Sequence, residues 1–501
     1  GFDRIAATSP AQLAEGRVSG VNVTTAVYKG NPLGADEIDI RGINSLHGDN
    51  QPLYIIDGVE LGYDFSRTMS PFWNYDGFSS VEALNPLFGL NSYDISSIEV
   101  LKDVSATAVY GSRGANGVVI IKTIHRNSGN NVTFNVNTGM LVTGSKVDGV
   151  VNNHNIGIAG SVKRSYYNVS ANVSNILSQS SSRESLQGGL KANLGSSYKE
   201  YVDFGANVVA SMGSFANNGN SIPDYYDEGK RYSVQGSAFI DVNFTKWLSL
   251  KTEGGVDFRR IDRNFWYGNG SAVGAAYNGL GSIDRHACFA ANVGTRLNFH
   301  RYFATRHYLS LDLGFEYRHQ NSTMNTMSGD DFFTHQYRAD VIKIANGAKQ
   351  LHLYSPKWSG MGFFADLKYS LLNIAGADVV FRADNNSRFD DNSYTMYPAA
   401  SAWIDFAKMF VPDSKAVSSL RVEGGWGISG NEQQSPYVYM PDYIACGYPV
   451  IDVDAEPYYE GLFRLRTTEW TVGATLGFLS DRISLGAKYF DRKNEDMFNV
   501  Y

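Results

Sequence analysis

The chain has 501 residues, a formal net charge of −7, 43% hydrophobic content and a mean hydropathy of −0.25. The acidic balance, with no clustered Lys/Arg run, argues against a nucleic-acid-binding face, and no stretch of about 18 apolar residues offers a transmembrane helix. High Gly (51), Tyr (31) and Phe (28) against only 13 Pro favour β structure in a chain long enough for one large domain or two to three ordinary ones.

The N-terminal stretch "GFDRIAATSP" does not read as a signal peptide. "SPAQLAEGRVSGVNVTT" predicts a short helix that ends by Gly20, then a strand. "DEIDIRG" and "PLYIIDGVE" predict strands, the second closing in an Asp57-Gly58 turn. "DISSIEVLKD" predicts another strand, "SATAVYGSRGANG" a short helical turn ending in glycines, and "GVVIIKT" a last strand. Val118–Ile121 is a continuous apolar run, as expected of a strand buried on both faces. Together these make a small α+β unit, with a boundary at 1–125 against 126–501.

Could "GSRGANG" hold a phosphate? A Walker loop needs Lys-Ser/Thr after its last glycine, and here Gly117 is followed by Val118. A dinucleotide fingerprint opens a helix, whereas this cluster precedes a strand, so nucleotide binding is set aside.

Beyond about Arg126 strict alternation takes over. "NVTFNVNTG" sets Val132, Phe134 and Val136 against Thr133, Asn135 and Asn137. "YYNVSANVSN", "YVDFGANVVA" and "HYLSLDLGFEYRH" repeat the pattern, and the polar face often carries Asp, Glu, Lys or Arg. "SAFIDVNFTKWLSLKTEGGVDFRR" predicts a hairpin turning at Thr245-Lys246, and "TEWTVGATLGFLSDRISLGAKYFDRK" one turning at Ser480-Asp481. Strands of about ten residues, short turns and long polar connections such as Asn264–Asp284 and Gln320–Leu351 predict an outer-membrane β-barrel. Lipid solvates one face, water or a plug the other, and closure satisfies every backbone group, as hydrocarbon demands.

The stretches "PLYIIDGV" and "LNPLFGLNSYDISSIEVLKDVSATAVYGSRGANGVVIIKT" closely resemble the plug signature of SusC/RagA-type TonB-dependent transporters of Bacteroidota. "NNSRFDDNSYTMYPAASAWIDF", "LRVEGGWGISGNE" and the final hairpin resemble barrel segments of the same family. The resemblance covers nearly the whole chain and is strongest at 51–123 and 385–497. It implies a membrane β-barrel of about 22 antiparallel strands when complete, with an N-terminal α+β plug domain in the lumen. It also implies import of oligosaccharides or peptides, with a SusD-like lipoprotein as lid and the TonB-ExbB-ExbD complex as energy source. The signature residues are Asp57, Gly58, Asp103, Tyr110, Gly111, Arg113, Gly114, Asn116 and Gly117. The glycines permit tight or positive-φ turns, and Asp103, Arg113 and Asn116 satisfy turn amides or pair with the barrel wall.

Three family features are not seen in this stretch: a TonB-binding segment, which would precede Gly1, a carboxypeptidase-regulatory-like domain, and the last strands. The residues after Thr123 fall short of the about 450–550 that 22 strands need, so further strands are expected after Tyr501. The stretch Gly144–Arg164 is shorter than the family's usual insertion after the plug. That leaves an alternative, a non-transporting scaffold subunit bound to outer-membrane barrel-assembly or secretion proteins.

Tyr63, Phe65, Phe72, Trp73 and Tyr75 lie in one plug insertion and suit either stacking on a ligand or packing against the wall or a lid partner. Trp247, Trp403, Trp426 and Trp470 are expected near strand ends as an interfacial girdle. His47, His286, His300 and His307 are scattered, so neither a catalytic group nor a metal centre is expected. "FDDN" (Phe389–Asn392) and "DVDAE" (Asp452–Glu456) are solvated carboxylates or a loop calcium site; no other cofactor is expected. Cys288 and Cys446 are two separate thiols or one disulfide.

Overall fold

The computed structural model describes residues 10–24, 37–42, 50–62, 87–103, 107–124, 130–143, 146–178, 183–217, 223–347, 349–387, 393–412, 414, 416–431 and 465–495. The N-terminal unit is built from two small sheets. In one, β1 (Val21–Thr24) pairs antiparallel with β2 (Glu37–Ile40). In the other, β3 (Leu53–Ile56), β4 (Val59–Glu60), β5 (Ile95–Leu101) and β6 (Val118–Thr123) lie in the order β4-β3-β6-β5, with β3 and β6 parallel. Asp57 (φ 48°) and Gly58 (φ 82°) close the β3–β4 hairpin with both central residues left-handed, the conformation for which an Asp-Gly pair is suited.

The interior place of β6 explains its unbroken apolar run. Val119 and Ile121, with Tyr54 and Ile56, pack against Leu13, Ile38 and Ile40 from the first sheet and the 3-10 turn Pro10–Leu13. Val118 and Ile120 pack on the opposite face with Leu53, Ile55 and Tyr110.

The rest is one sixteen-stranded antiparallel sheet. Its path takes β7 (Asn131–Thr143), β8 (Lys146–Val162), β9 (Ser165–Ser178), β10 (Arg183–Tyr198), β11 (Val202–Asn217), β12 (Tyr225–Thr245), β13 (Leu248–Tyr267), β14 (Leu280–Phe303) and β15 (His307–Asp330) in chain order. It continues through β17 (Lys357–Leu371), β18 (Ala375–Asn386), β19 (Thr395–Asp405), β20 (Val417–Asn431), β21 (Leu465–Phe478) and β22 (Ile483–Glu495), while β16 (Lys349–Tyr354) pairs with β15 off this path. Among the described residues β7 and β22 are edges not paired with each other.

Burial is inverted relative to a water-soluble sheet. Val132 is 72% exposed and Phe134 70%, whereas Asn168, Ser170 and Asn172 on the other face of β9 are buried. Apolar side chains face out and polar ones face in, the arrangement of a lipid-solvated barrel wall. β10 carries both rules in adjacent residues. Leu190 faces outward, 63% exposed, while Lys191 faces inward at 2% and donates to the Ile124 carbonyl. Replacing Leu190 with Arg is therefore expected to cost about 2–4 kcal/mol of folding free energy in liposomes. A denaturant titration of the refolded variant checks this, and a cost near zero would place Leu190 away from lipid.

Several expectations need correction. The strands are longer than about ten residues, and β14 and β15 each run 24. The predicted connections Asn264–Asp284 and Gln320–Leu351 are therefore ladder at both ends, at residues 264–267, 280–284, 320–330 and 349–351. Only residues 268–279, with the helix Ala272–Ala276, and the region about the 3-10 helix Arg338–Ile344 are true connections. Beyond the apolar band both faces are polar, as at Asn321, Ser322, Asn325 and Thr326, so the hydrophobic alternation stops while the backbone pairing continues. The stretch Gly144–Arg164 is mostly β8. The hairpin expected at Thr245-Lys246 turns one residue later, at Lys246-Trp247, because Thr245 still pairs with Leu248.

The tryptophans divide. Trp247 stands at a short turn, edge-on to Phe299 with ring centroids 5.5 Å apart. Trp426 and Trp470 are directly paired across β20 and β21, well inside both strands. About nine residues at ~3.3 Å each, tilted ~40°, place them ~23 Å from the short-turn end, close to the ~25 Å apolar band. They therefore stand at the second interface rather than at strand ends. Trp403 shares the inner face with Ala399, and the Arg421 guanidinium lies 4.1 Å over its ring, so it belongs to no lipid girdle.

Candidate functional site: the plug–wall interface

The signature residues converge where the N-terminal unit meets the inner face of the wall. The 3-10 turn Ala108–Arg113 brings Arg113 into the first cluster. Its guanidinium pairs with Glu60 of β4 and, at 3.0 Å, with Glu316 of β15. Glu316 also receives Arg382 of β18 at 2.7 Å, and Arg382 donates to Asp384 at 2.7 Å. Asp384 in turn accepts the backbone N–H and the hydroxyl of Ser112, both at 3.0 Å. Arg382 also donates to the Val109 carbonyl, so one buried network of alternating charges holds the turn against the wall.

Gly111 makes that approach possible. It has φ 54°, and a Cβ there would lie 2.1 Å from Asp384 Oδ2. Gly117 likewise has φ 82°, with Ile40 Cδ1 2.7 Å from the place of a Cβ. Gly114 has ordinary φ, but a Cβ there would lie 2.5 Å from the Thr107 carbonyl oxygen. Asn116 donates to the Gln51 carbonyl at 3.3 Å, inside the N-terminal unit.

A second cluster forms on β21 and β22. Arg41 pairs with Asp103 and with Glu469, Lys488 reaches Asp103 at 2.8 Å and Glu423 at 2.6 Å, and Arg492 reaches Glu469 at 2.7 Å. Burial works against ionisation of Asp103, yet the Lys488 and Arg41 charges outweigh it and hold the carboxyl below its ordinary range.

The opposite side is held by amides and hydroxyls. Asp57 accepts from Thr123 N (2.8 Å), Thr123 Oγ1 (2.7 Å) and Asn207 of β11 (2.7 Å). Asn292 of β14 donates to the Gly58 carbonyl at 3.1 Å, and Gly62 N–H donates to Asp257 of β13 at 2.9 Å. Ser170 donates to Asp94 at 2.7 Å; burial pushes the Asp94 carboxyl up, partly offset by Lys191 and Ser170.

Tyr110 stands between the sides, and burial, reinforced by the Glu316 charge, pushes its phenol up to about 12. A raised acid is favoured in its neutral form. Its contribution to stability is complete below about pH 10 and is lost as pH rises through about 12. Ultraviolet titration at alkaline pH should therefore show a late phenolate step that Tyr110→Phe removes; an unchanged late step would assign it elsewhere.

The sequence singled out Asp57, Gly58, Asp103 and Arg113 on the plug side, but not Arg41, Glu60 or Asp94. It missed the wall partners Glu316, Arg382, Asp384, Glu469 and Asn207, which are far away in the chain. One readable signal existed: in "FRAD" Arg382 and Asp384 occupy alternate positions beside the outward Phe381. Tyr63, Phe65, Phe72, Trp73 and Tyr75 lie outside the described residues, as do His47, Phe389–Asn392, Asp452–Glu456 and Cys446. Cys288 is buried on the inner face, where its Sγ lies 2.8 Å from the place of a Cβ on Gly62. His300 shares a hydrogen bond with Asn298 at 2.8 Å, and His307 with Tyr369 at 2.7 Å.

Comparison with known proteins agrees with this geometry. Residues 2–118 match the TonB-dependent receptor plug domain. The chain is 24% identical over 611 aligned positions to the TonB-dependent receptor SusC of Bacteroides thetaiotaomicron, covering 98% of this chain and 58% of SusC. It is 43% identical over 112 residues to the TonB-dependent receptor P26 of Formosa agariphila, covering 22% of this chain and 9% of P26. In fold it is similar to the RagAB peptide transporter, with TM-score 0.77, 17% identity, and coverage of 99% of this chain and 67% of that one. The chain thus spans little more than half the length of SusC.

Proposed function

We propose, from the premise that the chain is of the SusC/RagA type of TonB-dependent outer-membrane receptors, that it is the plug and barrel of an importer for oligosaccharides or peptides. On this reading a SusD-like surface lipoprotein delivers the cargo, and the TonB-ExbB-ExbD complex supplies the energy by pulling on the plug. No bond is made or broken, so no catalytic group is required. SusC and the RagAB peptide transporter lend the reading its class of activity.

The observation that carries it is the chemistry of the plug–wall seam. The seam is dominated by ion pairs and hydrogen bonds such as Arg113–Glu316 and Asn207–Asp57. Water can replace hydrogen-bonded contacts such as Asn207–Asp57 one by one as the plug moves, whereas a permanent stopper would be held more simply by an apolar interface. The scaffold alternative leaned on a short region after the plug, which β8 largely occupies, and on a TonB-binding segment not being visible in this stretch.

The test is made in the native bacterium. Deleting the segment of the full-length gene that precedes Gly1 should abolish growth on the cognate nutrient while leaving the barrel in the membrane. Unaffected growth with intact barrel levels would overturn the import reading.

A further inference from the structure

Plug and wall enclose a cavity of about 510 Å³ on the side of the short turns. The β3–β4 hairpin bounds it at Asp57, Gly58 and Glu60. Tyr166, beside the β8–β9 turn, and Lys251, near the start of β13, mark its short-turn edge. Its volume is that of a small-ligand site, about 300–1,000 Å³. Tyr110 and Ile120 of the plug and Phe239 of the wall give it apolar surface, and Ser237 gives it a hydroxyl.

The charges that line it do not balance. Every lining carboxylate is engaged within the protein. Asp57 accepts from Thr123 and Asn207, Glu60 pairs with Arg113, Glu316 with Arg113 and Arg382, and Glu253 with Lys251. Two exposed cations are left over, Lys122 on β6 of the plug and Arg296 on the inner face of β14. Among the described residues neither enters an ion pair. The Arg296 guanidinium lies 5.2 Å from the centre of the Phe364 ring, a contact that orients it without neutralising it. A chain of net charge −7 thus turns two unmatched positive charges, one from each body, onto one walled space. Clefts lined by one sign of charge focus the field and draw counter-ions.

We propose that this cavity is a subsite for a carboxylate-bearing ligand of disaccharide or dipeptide size, held between Lys122 and Arg296 with its body on Phe239 and Tyr110. The carboxylate takes charge-assisted hydrogen bonds from both cations, in bidentate form from the guanidinium. As a station for cargo on its way past the plug, the subsite rests on the import reading and narrows it to acidic cargo. A uronic-acid sugar and the C-terminus of a short peptide both carry the required group.

The test uses the full-length protein in detergent, carrying Cys288→Ser and Cys446→Ser, with Ser237→Cys as a reporter on the cavity wall. The rate at which a sulfonate-bearing methanethiosulfonate reagent modifies that thiol is measured with digalacturonate, its dimethyl ester, N-acetyl-Ala-Phe and the amide of that dipeptide. A carboxylate probe should slow modification about tenfold at about ten times its Kd, because occupancy protects as 1 + [L]/Kd. The two neutral probes should leave the rate unchanged. The double variant Lys122→Gln, Arg296→Gln should lose the protection. It should also lose the reporter's preference for the sulfonate reagent over a trimethylammonium one, since the local potential sets that ratio. Both side chains are exposed, so the double variant should fold. Phe239→Cys serves as reporter if Ser237→Cys folds poorly. Protection by digalacturonate alone supports the subsite and assigns it to acidic sugars. Protection by the acetylated dipeptide alone supports it for peptide ends, and protection by both assigns the carboxylate itself. Equal protection by the neutral probes, protection by none, or protection that survives the double variant overturns the proposal. None of these rates depends on TonB or on growth, so the subsite can fail while import stands, and import can fail while the subsite stands.

Discussion

Replacing Arg382 with Met is expected to destabilise the plugged state by about 3–5 kcal/mol and to sensitise cells to antibiotics too large for ordinary porins. Arg382 is fully buried, and its guanidinium bridges Glu316 and Asp384 while donating to the Val109 carbonyl of the plug. Met retains the length and apolar bulk of the stem but removes the charge and all five donors. Asp384 keeps Ser112 as a donor, yet its charge is then uncompensated in the interior. Arg382→Lys restores the charge without the planar fork, so it should fall between the two, because one ammonium cannot serve both carboxylates and the carbonyl in that geometry. Denaturant unfolding of the plug and antibiotic susceptibility are the measurements. An Arg382→Met variant as stable and as tight as the parent would show that the buried network does not hold the plug.

Gly111→Ala should prevent the plug from seating at all. The residue sits at φ 54°, ψ −117°, a region open essentially to glycine alone, where a Cβ costs about 1–3 kcal/mol. The new methyl would also lie 2.1 Å from Asp384 Oδ2 and 2.7 Å from Arg382 Cδ. Those two side chains are pinned in the ion network, so neither gives way as a flexible chain end would. Gly16→Ala is the matched control, with φ 65° and open space around the position of a Cβ. It should lose only about 1 kcal/mol. Limited proteolysis from the periplasmic side reads the difference: a plug cleaved rapidly in Gly111→Ala and protected in Gly16→Ala is expected, and equal protection in both would contradict the close approach.

These two positions also show what a sequence can and cannot convey. The Asp57-Gly58 turn, the buried β6 and the glycine-rich turn before it were legible because each depends on neighbours within a few residues. The barrel wall was legible because period-two alternation survives wherever lipid bathes one face. Strand length was not, since β14 and β15 continue past the apolar band into regions polar on both faces. Trp403 was misplaced for a related reason. An aromatic near a strand end suggests an interface, but its face is set by parity with Ala399, which touches the plug. The ion network was the least legible part. Arg113 and Glu316 are 203 residues apart, and nothing near either residue specifies the other.

The central claim is that a movable plug serves import, and the most direct measurement is what travels with the protein. The full-length receptor is extracted from native membranes in mild detergent, and its stoichiometric companions are identified by mass spectrometry. A single SusD-like lipoprotein in fixed ratio, with uptake that disappears when TonB is deleted, is the expected result. A barrel-assembly or secretion protein in fixed ratio, with the plug indifferent to TonB, would contradict import and make the protein a scaffold.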